Sequence, residues 1–227
     1  MPRLSDRRVG TFFALVLASG LCAAMLFARH LESGTGGYRF LAWNLLLAWV
    51  PFVLALALYD WDRKRRPLPL RLALAALWLL FLPNAPYIVT DFIHVGQVPG
   101  APLWYDAAMT AAFAGTGLVL GLGSLLLVQG VVARHSGRLV GWLMIGPVLA
   151  LCSAGIVIGR FQRLNSWDAV TDPGRLLGIV ATRLADPLGR PETIVALTGL
   201  TGFLTIAYLV LYTLSRLAED ESRPPSR

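Results

Sequence analysis

The 227-residue chain is 56% hydrophobic and carries a formal net charge of +7, with a mean hydropathy of +0.63. A soluble domain of this length cannot hide that much apolar surface in one core, so residues 1–227 are expected to form a single integral membrane domain with the lipid bilayer as its solvent. The basic balance invites a nucleic-acid partner, but arginines beside apolar runs serve membrane orientation, and no nucleic acid is expected.

A hydrocarbon slab of ~30 Å needs ~20 apolar residues for each helical crossing. Residues 10–28 make the first such stretch, behind Arg3, Arg7 and Arg8. The charge pattern imitates a secretory leader, yet the run from Val9 to Ala28 is longer than a leader core and no small-x-small site closes it. An uncleaved first span is expected, and Leu21 before Cys22 argues against a lipoprotein. The second span is expected over residues 40–59.

The third span, residues 67–94, is interrupted. From Pro67 to Leu82 the helix would rise only ~24 Å at 1.5 Å per residue. Pro83-Asn84-Ala85-Pro86 then removes two backbone donors, which predicts a break or kink with the residues before each proline pushed toward extended geometry. The apolar run resumes at Tyr87 and carries Thr90, Asp91 and His94.

The fourth span, residues 103–128, opens on Pro102 and holds Asp106 in its first turn, where the positive end of the helix dipole favours a carboxylate. Ala111 and Gly115, then Gly117 and Gly121, stand four apart and predict close approach of a neighbouring backbone. A fifth span is expected over residues 139–159. A polar loop follows from Arg160 to Thr193, with Asp172-Pro173 starting a short helix along the outer membrane surface. The sixth span, residues 194–214, aligns Thr198, Thr201, Thr205, Tyr208 and Tyr212 in one stripe that is expected to face the bundle interior. Cys22 and Cys152, each inside a span, are expected to be buried free thiols.

The expected fold is therefore all-α, a polytopic bundle of about six transmembrane helices. Thirteen of the 20 Arg and Lys residues fall at one end of such a bundle: three before the first span, five after the second, Arg134 and Arg138 after the fourth, and Arg216, Arg223 and Arg227 after the sixth. The bias of cations toward the cytoplasm predicts that both termini lie there.

Two polar clusters belong to the opposite, outer end. Asn84, Asp91 and His94 form one, and Arg160, Arg163, Asn165, Trp167 and Asp168 form the other, with Asp106 at the same level. Asp91 and His94 stand three apart, so a helical turn would let the carboxylate orient the imidazole. Arg160 and Arg163 continue the fifth span with the same spacing. They would anchor at the membrane interface by snorkelling, pair with Asp91, Asp106 or Asp168 in a buried ionic network, or join the broken helix in holding an anionic group. No HExxH, GxSxG, P-loop or CxxC spacing occurs, so neither a metal nor a cofactor is implied.

The segments LPNAPYIVTDFIH (82–94), LWYD (103–106) and GRFQRLNSWD (159–168) resemble the bacterial membrane-protein family called domain of unknown function 1361, with Gln162 at an otherwise apolar position. The resemblance runs from the second span to the sixth. It implies a multi-pass protein of the bacterial cytoplasmic membrane, and it assigns no catalytic residues. Three readings stand: a protein that binds or transports a small anionic or lipid-headgroup ligand at the outer patch, a membrane-embedded enzyme acting on a lipid-linked substrate with His94 or Asp91 as base, and a structural or accessory protein whose patch is an ionic lock.

Overall fold

The computed structural model describes residues 4–162 and 191–220, with residues 171, 172, 174, 175 and 178 between them. Among the described residues the fold is helical: α1 (Leu4–Ser33), α2 (Arg39–Arg63), α3 (Leu68–Phe81), α4 (Asn84–Tyr87), a 3-10 segment (Ile88–His94), α5 (Leu103–Ser136), α6 (Arg138–Leu143), α7 (Ile145–Gln162) and α8 (Pro191–Asp220). They compose six stretches long and apolar enough to cross a membrane: Val9–Ser33, Arg39–Arg63, Leu68–His94, Leu103–Ser136, Arg138–Arg160 and Pro191–Leu217. The chain is a multi-pass membrane protein. Its outward faces suit lipid, since Val9, Phe13, Leu46 and Ile206 are each more than 60% exposed.

Helix α5 is the central pillar. In its most apolar window 56% of residues are buried, against 11% in the first and last spans, so α1 and α8 are peripheral. Two apolar cores flank it. Leu15, Leu41, Phe52 and Phe113 belong to one, and Leu58, Trp78, Leu149 and Tyr208 to the other. Several polar atoms inside find partners, whereas among the described residues the buried Thr110 and Ser153 hydroxyls and Arg71 Nε have none. The Trp78 indole donates to Ser124 Oγ at 3.0 Å, and the Tyr208 hydroxyl donates to Gln129 Oε1.

The third span is bent where the prolines stand, but by a different route from the extended geometry their sequence predicts. Leu82, before Pro83, stays helical at φ −51°, ψ −41°, and so do Pro83 and Ile88. The chain remains helical through the interruption and then tightens into the seven-residue 3-10 segment. Packing overrides the local steric preference of pre-proline residues. Ala85 and Pro86 are buried, pressed against α5 at glycines: a Cβ on Gly117 would lie 2.5 Å from the Ala85 carbonyl oxygen, and one on Gly121 2.9 Å from the Ala85 Cβ. The spacing of Gly117 and Gly121 thus serves close approach, whereas Gly115 has nothing within 4 Å.

The stripe on the last span divides. Tyr208 is fully buried and Tyr212 meets Trp142 edge-on at 4.7 Å. The threonine hydroxyls turn back to their own helix, Thr198 to Ile194, Thr201 to Leu197 and Thr205 to Thr201. Thr198 is exposed, so the stripe does not face inward along its whole length; a hydroxyl satisfied by its own backbone carbonyl needs no partner helix. Cys22 and Cys152 are buried free thiols. The expected interfacial helix lies largely outside the described residues, although the Arg175 backbone N–H donates to Asp172 Oδ1 at 3.1 Å, as a helix cap would.

Candidate functional site

The 3-10 segment turns Asp91 into the bundle, where it is 1% exposed. Both of its oxygens have donors from other helices: Asn44 Nδ2 of α2 reaches Oδ2 at 2.8 Å, and Arg160 Nη1 of α7 reaches Oδ1 at 3.0 Å. Arg160 Nη2 donates to the Thr90 carbonyl at 2.9 Å and lies 3.2 Å from His94 Nε2. With Nε2 accepting, Nδ1 is the donor toward Gln97 Oε1 at 3.1 Å. The guanidinium carbon is 5.6 Å from the centre of the Tyr87 ring. One arginine therefore ties the end of α7 to four successive polar positions of the bent third span.

Asp106 anchors a second cluster beside the first. It too is 1% exposed. Arg29, at the end of α1, grips it with Nε to Oδ1 at 2.8 Å and Nη2 to Oδ2 at 3.2 Å, and extends Nη1 to Ser33 Oγ at 3.0 Å and Nη2 to the Val98 carbonyl at 2.8 Å. The Tyr38 hydroxyl lies 2.8 Å from the His94 carbonyl oxygen and 3.1 Å from Asp106 Oδ2, so its single proton is shared between the clusters. Burial pushes the Tyr38 phenol pKa up, and the hydrogen bond to Asp106 adds to the rise.

Of the residues singled out from sequence, Asp91, His94 and Arg160 come together, and Asp106 joins them through Tyr38. Asn84 sits two turns before Asp91 on the third span, its amide donating to the Phe81 carbonyl at 3.0 Å. Arg163, Asn165, Trp167 and Asp168 lie outside the described residues.

The model for the family described as Protein of unknown function (DUF1361) matches residues 43–208. The chain belongs to the DUF1361 family. No curated protein and no solved structure matches it. Within the DUF1361 match fall Asn44, Asp91, His94, Asp106 and Arg160, while Arg29 and Tyr38 precede it.

Arg29, Tyr38 and Asn44 are the partners that sequence reasoning missed in this DUF1361 chain. Arg29 had a signal: it ends an apolar run, and a guanidinium at that depth calls for a counterion at the same level. Tyr38 and Asn44 had none, because their partners lie 68 and 47 residues away. The opposite end of the bundle holds a third knot, in which Asp62 accepts from Arg71 Nη1 at 2.6 Å, Arg134 Nη2 at 2.8 Å and His135 Nε2. Among the described residues no three His, Cys, Asp or Glu side chains gather as a metal site.

Proposed function

We propose that this DUF1361 chain is a structural or accessory protein of the bacterial cytoplasmic membrane, with its termini in the cytoplasm and its Asp91 and Asp106 clusters locking helices together at the outer end. The observation that best supports the lock is that each oxygen of both buried carboxylates has a donor: Asn44 and Arg160 for Asp91, and Arg29 and Tyr38 for Asp106. A carboxylate engaged in this way is a poor general base, and a guanidinium with Nη1 and Nη2 both committed is poorly placed to receive phosphate. Support for the orientation is the clustering of Arg63, Lys64, Arg65, Arg66, Arg71, Arg134 and Arg138 at the Asp62 end.

Thermal unfolding of the full chain in detergent, with and without glycerol phosphate, tests the lock. Asp91→Asn and Arg160→Gln are each expected to lower the melting temperature, the double variant to lose little more than either single one, and glycerol phosphate to leave the wild type unchanged. A rise with glycerol phosphate that Arg160→Gln removes would instead favour the second reading, a site for a small anionic or lipid-headgroup ligand. What favours that reading is the 17% exposure kept by the Arg160 side chain beside His94. An accumulating lipid intermediate in cells carrying His94→Ala would favour an enzyme acting on a lipid-linked substrate.

A further inference from the structure

We propose that the groove at the Asp62 end of the bundle, between α1, α2, α5, α6 and α8, is a binding site for one anionic phospholipid. The groove encloses about 570 Å³, within the range of small-molecule sites. Its walls are apolar, with Phe12 from α1, Leu56 from α2, Leu127 from α5 and Leu211 from α8. Along α5 it runs from Val119 to Ala133, ~21 Å at 1.5 Å per residue. One leaflet is half of a ~30 Å hydrocarbon slab, so an acyl chain entering at headgroup level fits lengthwise.

The groove owes its depth to glycine. Gly123 and Gly130 line it on α5, and a Cβ added at Gly130 would meet nothing within 4 Å. At its mouth stand two cations, Arg138 at the start of α6 and Arg216 of α8. Arg216 Nε donates to the Tyr212 hydroxyl at 3.2 Å, with the guanidinium carbon 5.2 Å from that ring's centre. Tyr212 in turn packs against Trp142, so the cation stands on paired amphipathic rings of the kind that settle at headgroup level.

Among the described residues no acidic side chain lines the groove, and Arg138 makes no ion pair. Arg71 and Arg134, by contrast, are committed to Asp62. An apolar slot whose mouth holds two arginines complements an amphiphile with a negative head. The slot selects a lipid over a free anion, and the arginines select an anionic lipid over a zwitterionic one.

The experiment is native mass spectrometry of the delipidated full chain in detergent, offered dioleoylphosphatidylglycerol or dioleoylphosphatidylcholine. The wild type is expected to retain one phosphatidylglycerol, favoured by about fivefold for each arginine, or about 25-fold in all. Arg138→Gln with Arg216→Gln should bring the preference to about one, and Gly130→Phe should abolish retention of both lipids. If Gly130→Phe does not fold, the arginine variant, altered only at exposed positions, still decides. Equal retention of the two lipids by the wild type, an undiminished preference in the arginine variant, binding of glycerol phosphate as tight as that of the lipid, or a dimer that retains no lipid would each overturn the proposal.

Discussion

Arg29 and Asp106 form a two-pronged ion pair between the first and fourth spans, Nε to Oδ1 at 2.8 Å and Nη2 to Oδ2 at 3.2 Å, with both side chains 1% exposed. The geometry is the fork-to-fork form that gives a guanidinium and a carboxylate two parallel bonds. It fastens α1, a peripheral helix with few buried residues, to the central pillar α5.

Removing one member of such a pair leaves an unpaired charge in a low-dielectric site. Arg29→Ala should therefore destabilise the protein by about 3–5 kcal/mol, and replacing both members with apolar residues, Arg29→Met with Asp106→Leu, should restore most of the loss. Reversible unfolding in mixed detergent micelles measures both. If Arg29→Ala leaves stability unchanged, the pair does not hold α1.

The two donors to Asp91 should differ in weight. Asn44→Leu removes one hydrogen bond to a charged acceptor, at about 1.5–3 kcal/mol. Arg160→Leu removes the counterion itself, which is expected to be the more damaging loss at about 3–5 kcal/mol. Unfolding of the two variants side by side tests the order, and an Asn44→Leu variant that is the weaker one would mean that Arg160 does not neutralise Asp91.

Much of this organisation was legible in the sequence because it follows from one-dimensional signals. Six apolar stretches announce six spans, Pro83 and Pro86 announce the bend, and Gly117 with Gly121 announce a close neighbour. The meeting of Asp91 with Arg160 could be anticipated as one of several pairings at a shared depth. The partnership of Arg29 with Asp106 could not, since it depends on which helices are adjacent, and no spacing along the chain encodes the packing of α1 on α5. The prolines misled for a related reason: steric preference acts on an isolated dipeptide, whereas burial of Ala85 and Pro86 against two glycines holds Leu82 in the helix.

Those glycines give a paired test. Gly117→Ala would place a Cβ 2.5 Å from a backbone oxygen that cannot move alone, so it should destabilise by about 1–3 kcal/mol through overpacking. Gly115→Ala, two residues away with nothing within 4 Å, should be neutral or stabilising by up to about 1 kcal/mol through helix propensity. Equal effects at the two positions, measured by unfolding in micelles, would contradict the seating of α4 on α5.

Tyr38 predicts a dependence on alkaline pH. Its phenol is raised above the ordinary value by burial and by the hydrogen bond to Asp106, so the folded state holds the proton to higher pH than the unfolded state does. That contribution is complete below the unfolded pKa of about 10 and is lost as pH rises from there through the folded value. Arg29 does not titrate in this range, which leaves the phenol as the group that changes in this cluster. Tyr38→Phe should therefore be less stable at neutral pH by about 0.5–1.5 kcal/mol, for the lost hydrogen bond, yet fall less steeply above pH ~10. Melting temperatures of wild type and variant between pH ~8 and ~11 decide the matter: parallel alkaline slopes would mean that the Tyr38 proton contributes nothing to the link between the Asp106 and His94 clusters.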